Sequence, residues 1–254
     1  MLKMLLKCPE NFVSHNFLKR KIDKSTRIRS YGLKSGHIET DLYENGYDIE
    51  LTCNRYFVWE FWRCLINSPS DLLSAITFFH KNVGVFEMEN YRDSWYTKFQ
   101  NPYERAAFFY LLNRYSETGS LGCSNISKHN FSVLNLRSFE QHASRAQNLQ
   151  LSFCKNENVF DSIESFEDEK TILLPIGNVK RDYILKKNVK TVHSMNFNLR
   201  EFREYLPLTD KKVLAIFKYN DYINGFFNEK TLISRFGTVT ENPELAEDLI
   251  VSNF

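Results

Sequence analysis

Strand-like runs stand at both ends of this chain, and a long helical stretch separates them. Segments near 27–31 and 47–51 read as short strands, with a helix over 13–22 before them. The period then changes. From about 56 to 145 apolar residues recur at helical spacing, beginning with the aromatic-rich, amphipathic segment 57–66. Ser68-Pro69-Ser70-Asp71 reads as a cap on the next helix, with proline near its start. Residues 122–136 mix Ser and Asn with alternating Ile126, Phe131 and Val133, which predicts a short hairpin. After Leu149 strands return, at 151–154, 171–174, 191–194, 213–217 and 248–253. A β-α-β pattern interrupted by helices predicts an α/β fold, a Rossmann-like doubly wound sheet with an inserted helical subdomain. The α/β core is expected at 1–55 and 149–254, and the helical insertion at 56–148.

The most specific wording lies in 101–119, NPYERAAFFYLLNRYSETG. Ala106, Ala107, Phe109, Tyr110 and Leu112 form an apolar face. Asn113-Arg114-Tyr115 closes the run, and Gly119 follows. On periodicity alone this is an amphipathic helix stopped by a turn. Its wording resembles the helix that opens the target-recognition hairpin of Dam-type DNA adenine-N6 methyltransferases. Other segments extend the resemblance in chain order. Leu5-Leu6-Lys7 resembles the family's opening F-L-K. Residues 54–73 (NRYFVWEFWRCLINSPSDLL) look like its D-I-N strand end and the helix after it. Residues 139–148 (FEQHASRAQN) resemble the helix after the hairpin. Residues 213–221 (VLAIFKYND) and 247–254 (EDLIVSNF) resemble two late strands. The resemblance spans nearly the whole chain and implies the Rossmann-like methyltransferase fold, with the helical insertion as a target-recognition subdomain.

The family's chemistry is missing from the matching positions. The resemblance implies a D-P-P-Y motif, in which Asp accepts from the adenine amino group and Tyr stacks on the flipped base. Here those positions read Leu174, Pro175, Ile176 and Gly177. Leucine accepts no hydrogen bond, and glycine has no ring. Loss of one such polar contact costs roughly two to three orders of magnitude in rate. No two of the six prolines are adjacent, so the motif has not moved elsewhere.

The cofactor motifs have changed in the same way. After Leu5-Leu6-Lys7 the family's glycines give way to Cys8-Pro9-Glu10. Its E-P-F-x-G-x-G loop has become Tyr31-Gly32-Leu33-Lys34-Ser35-Gly36, with glycines at another spacing. Its ribose-binding Asp is matched by Thr52, which is not a bidentate acceptor. Lys7, Gly32, Gly36 and Thr52 are thus vestigial cofactor positions. The reading is a pseudo-methyltransferase, with no bound cofactor expected, acting in DNA binding or as an accessory subunit. The alternative is an active adenine methyltransferase with divergent motifs, for which S-adenosylmethionine is the cofactor.

Charge bears on the partner. The chain has 254 residues and a net charge of +2, so there is no global drive toward nucleic acid. Its distribution is uneven. Lys19, Arg20, Lys21 and Lys24 form a basic run near the N-terminus, and Lys186-Lys187 belong to a second one. A basic run reads either as a solvated face or as a phosphate-binding surface. Arg114 reads either as a cation at a helix end or as a phosphate contact. Lys128, His129 and Arg137 fall where relatives place DNA-reading side chains. These ten residues are the DNA-binding candidates, and a protein partner is the competing reading. Trp59, Trp62 and Trp95 read as core aromatics, and Asp221 as a turn residue. The five cysteines are scattered, with no zinc-ligand spacing, which predicts reduced thiols and a cytoplasmic location. No apolar run reaches the length of a membrane span.

Overall fold

Strand β4 (Thr171–Gly177) reads TILLPIG and is buried along its whole length. A strand covered on both faces needs no polar alternation, and this near-continuous apolar run belongs at the centre of a parallel sheet. The computed structural model describes residues 5–8, 12–119, 121, 125–146, 148–154, 158–166, 170–178 and 197–254. It places β4 between β1 (Ile28–Tyr31) and β5 (Lys212–Lys218), parallel to both. On the far side of β1 follow β2 (Ile49–Cys53) and β3 (Gln150–Phe153), also parallel. Beyond β5 lie β7 (Ala246–Ser252) and β6 (Thr231–Ser234), with β7 antiparallel to both its neighbours. The seven-stranded order is β3-β2-β1-β4-β5-β7-β6. This mostly parallel, mixed α/β sheet flanked by helices is compatible with a Rossmann-like fold.

Two helices follow the first strands' logic. α1 (His15–Lys21) precedes β1, and α2 (His37–Glu44) connects β1 to β2. Among its described residues the β2-to-β3 connection holds six α-helices: α3 (Tyr56–Asn67), α4 (Pro69–Asn82), α5 (Val85–Tyr91), α6 (Trp95–Lys98), α7 (Pro102–Tyr115) and α8 (Val133–Ala146). α7 is started by Asn101, whose side chain accepts from Tyr103 N, and by Pro102 in its first turn. It is buried all round from Ala106 to Tyr115, so a single apolar stripe understates its packing. Shorter helices α9 (Val159–Glu164), α10 (Leu199–Tyr205) and α11 (Asp221–Phe226) accompany the later strands.

The two faces of the sheet bury separate cores. Leu51, Cys53, Leu173 and Leu214 meet Trp62, Phe109, Tyr110 and the other rings of the helical block. Ile172, Leu174 and Ile176 point the other way, toward Phe160, Phe202, Phe217 and Phe227. Alternation along β4 sets this division.

Several expectations change. β4 runs on through Pro175 to Gly177 instead of ending at 174. Proline is tolerated there because pairing with β1 stops at Leu173 and the register against β5 slips between Pro175 and Gly177. Of the hairpin expected over 122–136, residues 122–124 lie outside the described residues, and among the described ones one antiparallel bridge is present, Ser116 with Ile126. A 3-10 turn (Lys128–Asn130) and α8 take up the rest, because Ser127 accepts from His129 N and starts the turn. Ser68 does not cap α4 through its side chain. Its Oγ donates to Asp71 Oδ2 at 2.7 Å instead. β6 was not foreseen in the sequence, and the strand expected at 191–194 lies outside the described residues.

Candidate functional site

In an open α/β sheet a ligand crevice forms beyond the carboxyl ends of the strands, where the winding reverses. Here that point lies between β1 and β4, since the chain winds outward from β1 through β2 to β3 and then returns to β4. The loop after β1, the end of β2 and the end of β4 surround it.

Those side chains are engaged with one another. Lys34 crosses from the β1 loop and donates from Nζ to Ile176 O at 2.6 Å. Glu39, in the first turn of α2, is fully buried and accepts from Ser30 Oγ at 2.9 Å. Burial raises the Glu39 pKa, and hydrogen bonds from its own backbone N–H and from Ser30 Oγ, followed by the Lys34 charge, pull it partly back. Gly36 starts α2 with φ of +71°, a conformation that glycine adopts without strain. The Trp62 indole lies directly on it. At the end of β2, Thr52 Oγ1 and Ser152 Oγ share a hydrogen bond at 3.0 Å. Tyr31, at the end of β1, donates from its hydroxyl to Ser162 Oγ at 3.3 Å, and burial pushes its pKa up to about 12.

The residues matched to the family's cofactor motifs fall in two places. Gly32 N donates to Thr52 O at 2.9 Å and ties the β1 loop to β2. Lys7 is used elsewhere. Its backbone N donates to Asn113 Oδ1 at 2.7 Å, and its Nζ to Ser116 O at 2.8 Å, just past the end of α7. Burial and the neighbouring Arg114 lower its pKa. Leu174 is a core residue of β4, and Ile176 packs beside it on the same face. Two buried polar side chains here have unpartnered atoms among the described residues: Asn54, following β2, at both its nitrogen and its oxygen, and Trp62 at Nε1. Against that, Lys34 bridges the switch point and Trp62 covers Gly36.

The DNA-binding candidates divide into two sets. α1 begins at the carboxyl ends of the strands, where Val13 N and Ser14 N donate to Asp248 and Lys218 pairs with the same carboxylate. It ends at the opposite edge, where Lys21 Nζ donates to Phe254 O at 2.8 Å. Arg20, Lys21 and Lys24 are exposed there, away from the crevice. Lys19 pairs with Asp41 at 2.9 Å. The second set belongs to the helical block. Arg114 is buried and donates from Nη2 to Asn135 Oδ1 at 2.8 Å. Lys128 Nζ donates to His80 O at 3.0 Å. His129 and Arg137 are exposed. Lys186 and Lys187 lie outside the described residues.

Lys34, Glu39, Trp62 and Asn54 carry most of the chemistry at the strand ends, and sequence reasoning gave none of them that role. Only the tertiary structure brings them together, and their spacing carries no motif. No family model matches the chain, and no curated protein matches it either.

Proposed function

We propose that the chain is a non-catalytic protein on a methyltransferase-type fold, similar in plan to the Dam-type DNA adenine-N6 methyltransferases. It acts by contacting DNA or as an accessory subunit. Three features support the plan. The sheet is a doubly wound 3-2-1-4-5-6 arrangement with the reversed β7 slipped between β5 and β6. A helical block stands between β2 and β3, where the recognition subdomain would lie. Wording that resembles the family runs along both.

The observation that carries the non-catalytic reading is the position of Leu174-Pro175-Ile176-Gly177. These residues form the buried end of a central strand, and Leu174 has no exposed surface. No carboxylate or ring stands there to hold a flipped base. Remaining function then falls to the surface. Exposed Arg20, Lys21, Lys24, His129 and Arg137 offer phosphate contacts, which carry no sequence information and favour weak sequence preference.

Calorimetric titration with S-adenosylmethionine and tritiated methyl transfer to unmethylated DNA test the reading. Binding no tighter than about millimolar, roughly 4 kcal/mol, is expected. Micromolar binding or turnover would restore the active-enzyme alternative. Fluorescence anisotropy on unrelated duplexes at about 50 and about 200 mM salt separates the two modes of action. Affinity that falls steeply with salt supports DNA contact. Undetectable binding at the lower salt leaves the accessory-subunit role.

A further inference from the structure

His80 is held from two sides near the end of α4. Its ring Nδ1 lies 2.5 Å from the Tyr115 hydroxyl at the end of α7, and its backbone carbonyl accepts from Lys128 Nζ at 3.0 Å. Phe131 packs on both rings, with centroids 4.8 Å from His80 and 5.7 Å from Tyr115. Tyr115 is fully buried, and burial pushes its phenol pKa well up, so the phenol keeps its proton and donates. His80 Nδ1 must then accept, which requires a neutral imidazole with its proton on Nε2. Protonation turns Nδ1 into a donor and leaves the buried phenol O–H without an acceptor among the described residues. It also sets a positive charge beside the Lys128 ammonium, which is tied to the same residue. Lys81, the next residue on α4, is a further cation, and Arg114 of α7 is another. The described carboxylates of the helices packed on α4 do not compensate: Glu60 of α3 is paired with Arg105, and Glu140 of α8 is exposed, as is Arg137. Burial, and after it the Lys128 and Lys81 charges, lower the His80 pKa.

We propose that His80 is a proton-operated latch for the 3-10 turn, holding it on α4 and α7 while the ring is neutral and letting it open locally when the ring is protonated. Protonation opposes the Tyr115 and Lys128 contacts at once. Opening frees the Lys128 ammonium beside the exposed His129. The turn's other ties, from Ser127 N and Asn130 Nδ2 to Tyr115 O, contain no titrating group, so the His80 ring is the part of the latch that pH moves. A lowered folded-state pKa means that the closed turn favours the neutral ring. The latch is therefore complete above about 6.5, the ordinary histidine value, and weakens as pH falls from there through the folded value. The inference needs only these contacts, so it stands apart from the methyltransferase reading.

The test is amide hydrogen exchange of the full chain across the histidine range, corrected for the intrinsic pH dependence of exchange, beside an NMR titration of the His80 ring. The Ser127, Asn130 and Phe131 amides donate to Tyr115 O, Ser127 O and Lys128 O. They should be less protected than the amides of β5, because the turn opens without the rest of the fold. Their protection should fall about tenfold for each pH unit by which the His80 midpoint lies below about 6.5. His80→Asn keeps an acceptor for the phenol and takes up no proton, so its turn protection should stay level. In Tyr115→Phe the His80 midpoint should rise toward the ordinary value, because the hydrogen bond that favours the neutral ring is gone. A wild-type midpoint at or above about 6.5 overturns the proposal. So does turn protection that stays level while His80 titrates, that equals the protection of β5, or that falls as much in folded His80→Asn. Should His80→Asn not fold, Tyr115→Phe decides the matter, and an unchanged His80 midpoint there overturns the latch.

Discussion

The Trp62 indole lies against Gly36 so closely that a Cβ at residue 36 would stand 2.3 Å from Trp62 Cζ2. Gly36 also holds φ at +71° at the start of α2. Two costs therefore meet in Gly36→Ala. The left-handed backbone costs about 1–2 kcal/mol for a residue with a side chain, and displacing a buried ring costs about 1–3 kcal/mol. Urea denaturation should show a combined loss of about 3 kcal/mol. In a Trp62→Leu background the same substitution should cost less. An equal cost in both backgrounds would rule out the ring as the obstacle.

Asn54 gives a prediction of the opposite sign. It is buried, and both its amide nitrogen and its oxygen lack partners among the described residues. Each unsatisfied buried polar group costs about 1–3 kcal/mol, and an apolar group of similar shape removes that cost. Asn54→Leu should raise stability by about 1 kcal/mol, read as a higher urea midpoint at unchanged slope. A clear loss of stability would mean that Asn54 is satisfied by something in solution.

Glu50 sets a pH dependence. It accepts from Arg29 at 2.7 Å and from the buried Lys170 at 2.8 Å. Burial pushes its pKa up, but the hydrogen bonds from Lys170 and Arg29 and their charges outweigh that and hold it below the usual glutamate value. A lowered folded-state pKa contributes stability above the unfolded value, and that contribution is lost as pH falls through the folded one. Glu50→Gln should cost about 3 kcal/mol at pH 7. The gap between variant and wild type should close as pH drops below about 4.3. Denaturation curves between neutral and acid pH check this, and a gap that stays constant would exclude the ion cluster as its source.

The sequence revealed elements with strong periodicity and hid those decided by tertiary contact. β5 carries an apolar run, β1, β5 and β7 end near where expected, and α7 carries its own start signal in Asn101-Pro102. β6 is a four-residue strand whose membership depends on its neighbour β7, which no local pattern reports. β4 looked finished at Leu174 because Pro175 argues against a central strand. It continues because β1 no longer needs that backbone donor. At the candidate site the sequence marks only isolated positions. The contacts made there, Lys34 across the switch point and Trp62 on Gly36, depend on elements far apart in the chain.

Leu174 offers the sharpest test of the proposed methyltransferase plan. On that proposal its position corresponds to the family's acceptor carboxylate, and its side chain lies in the apolar core with Ile172, Phe202 and Phe217. A carboxylate there would lose its hydration among apolar neighbours, so it would either protonate or unfold the strand. Leu174→Asp should cost more than about 4 kcal/mol, in the range reserved for buried uncompensated charge. It should confer no methyl transfer. Leu174→Met, which keeps the volume, should cost less than about 1.5 kcal/mol. The comparison is made by urea denaturation near neutral pH, followed by a tritiated methyl-transfer assay on whatever remains folded. A stable Leu174→Asp protein would place this side chain in the crevice and not in the core. Methyl transfer by that variant would show that a single residue separates this chain from an active enzyme.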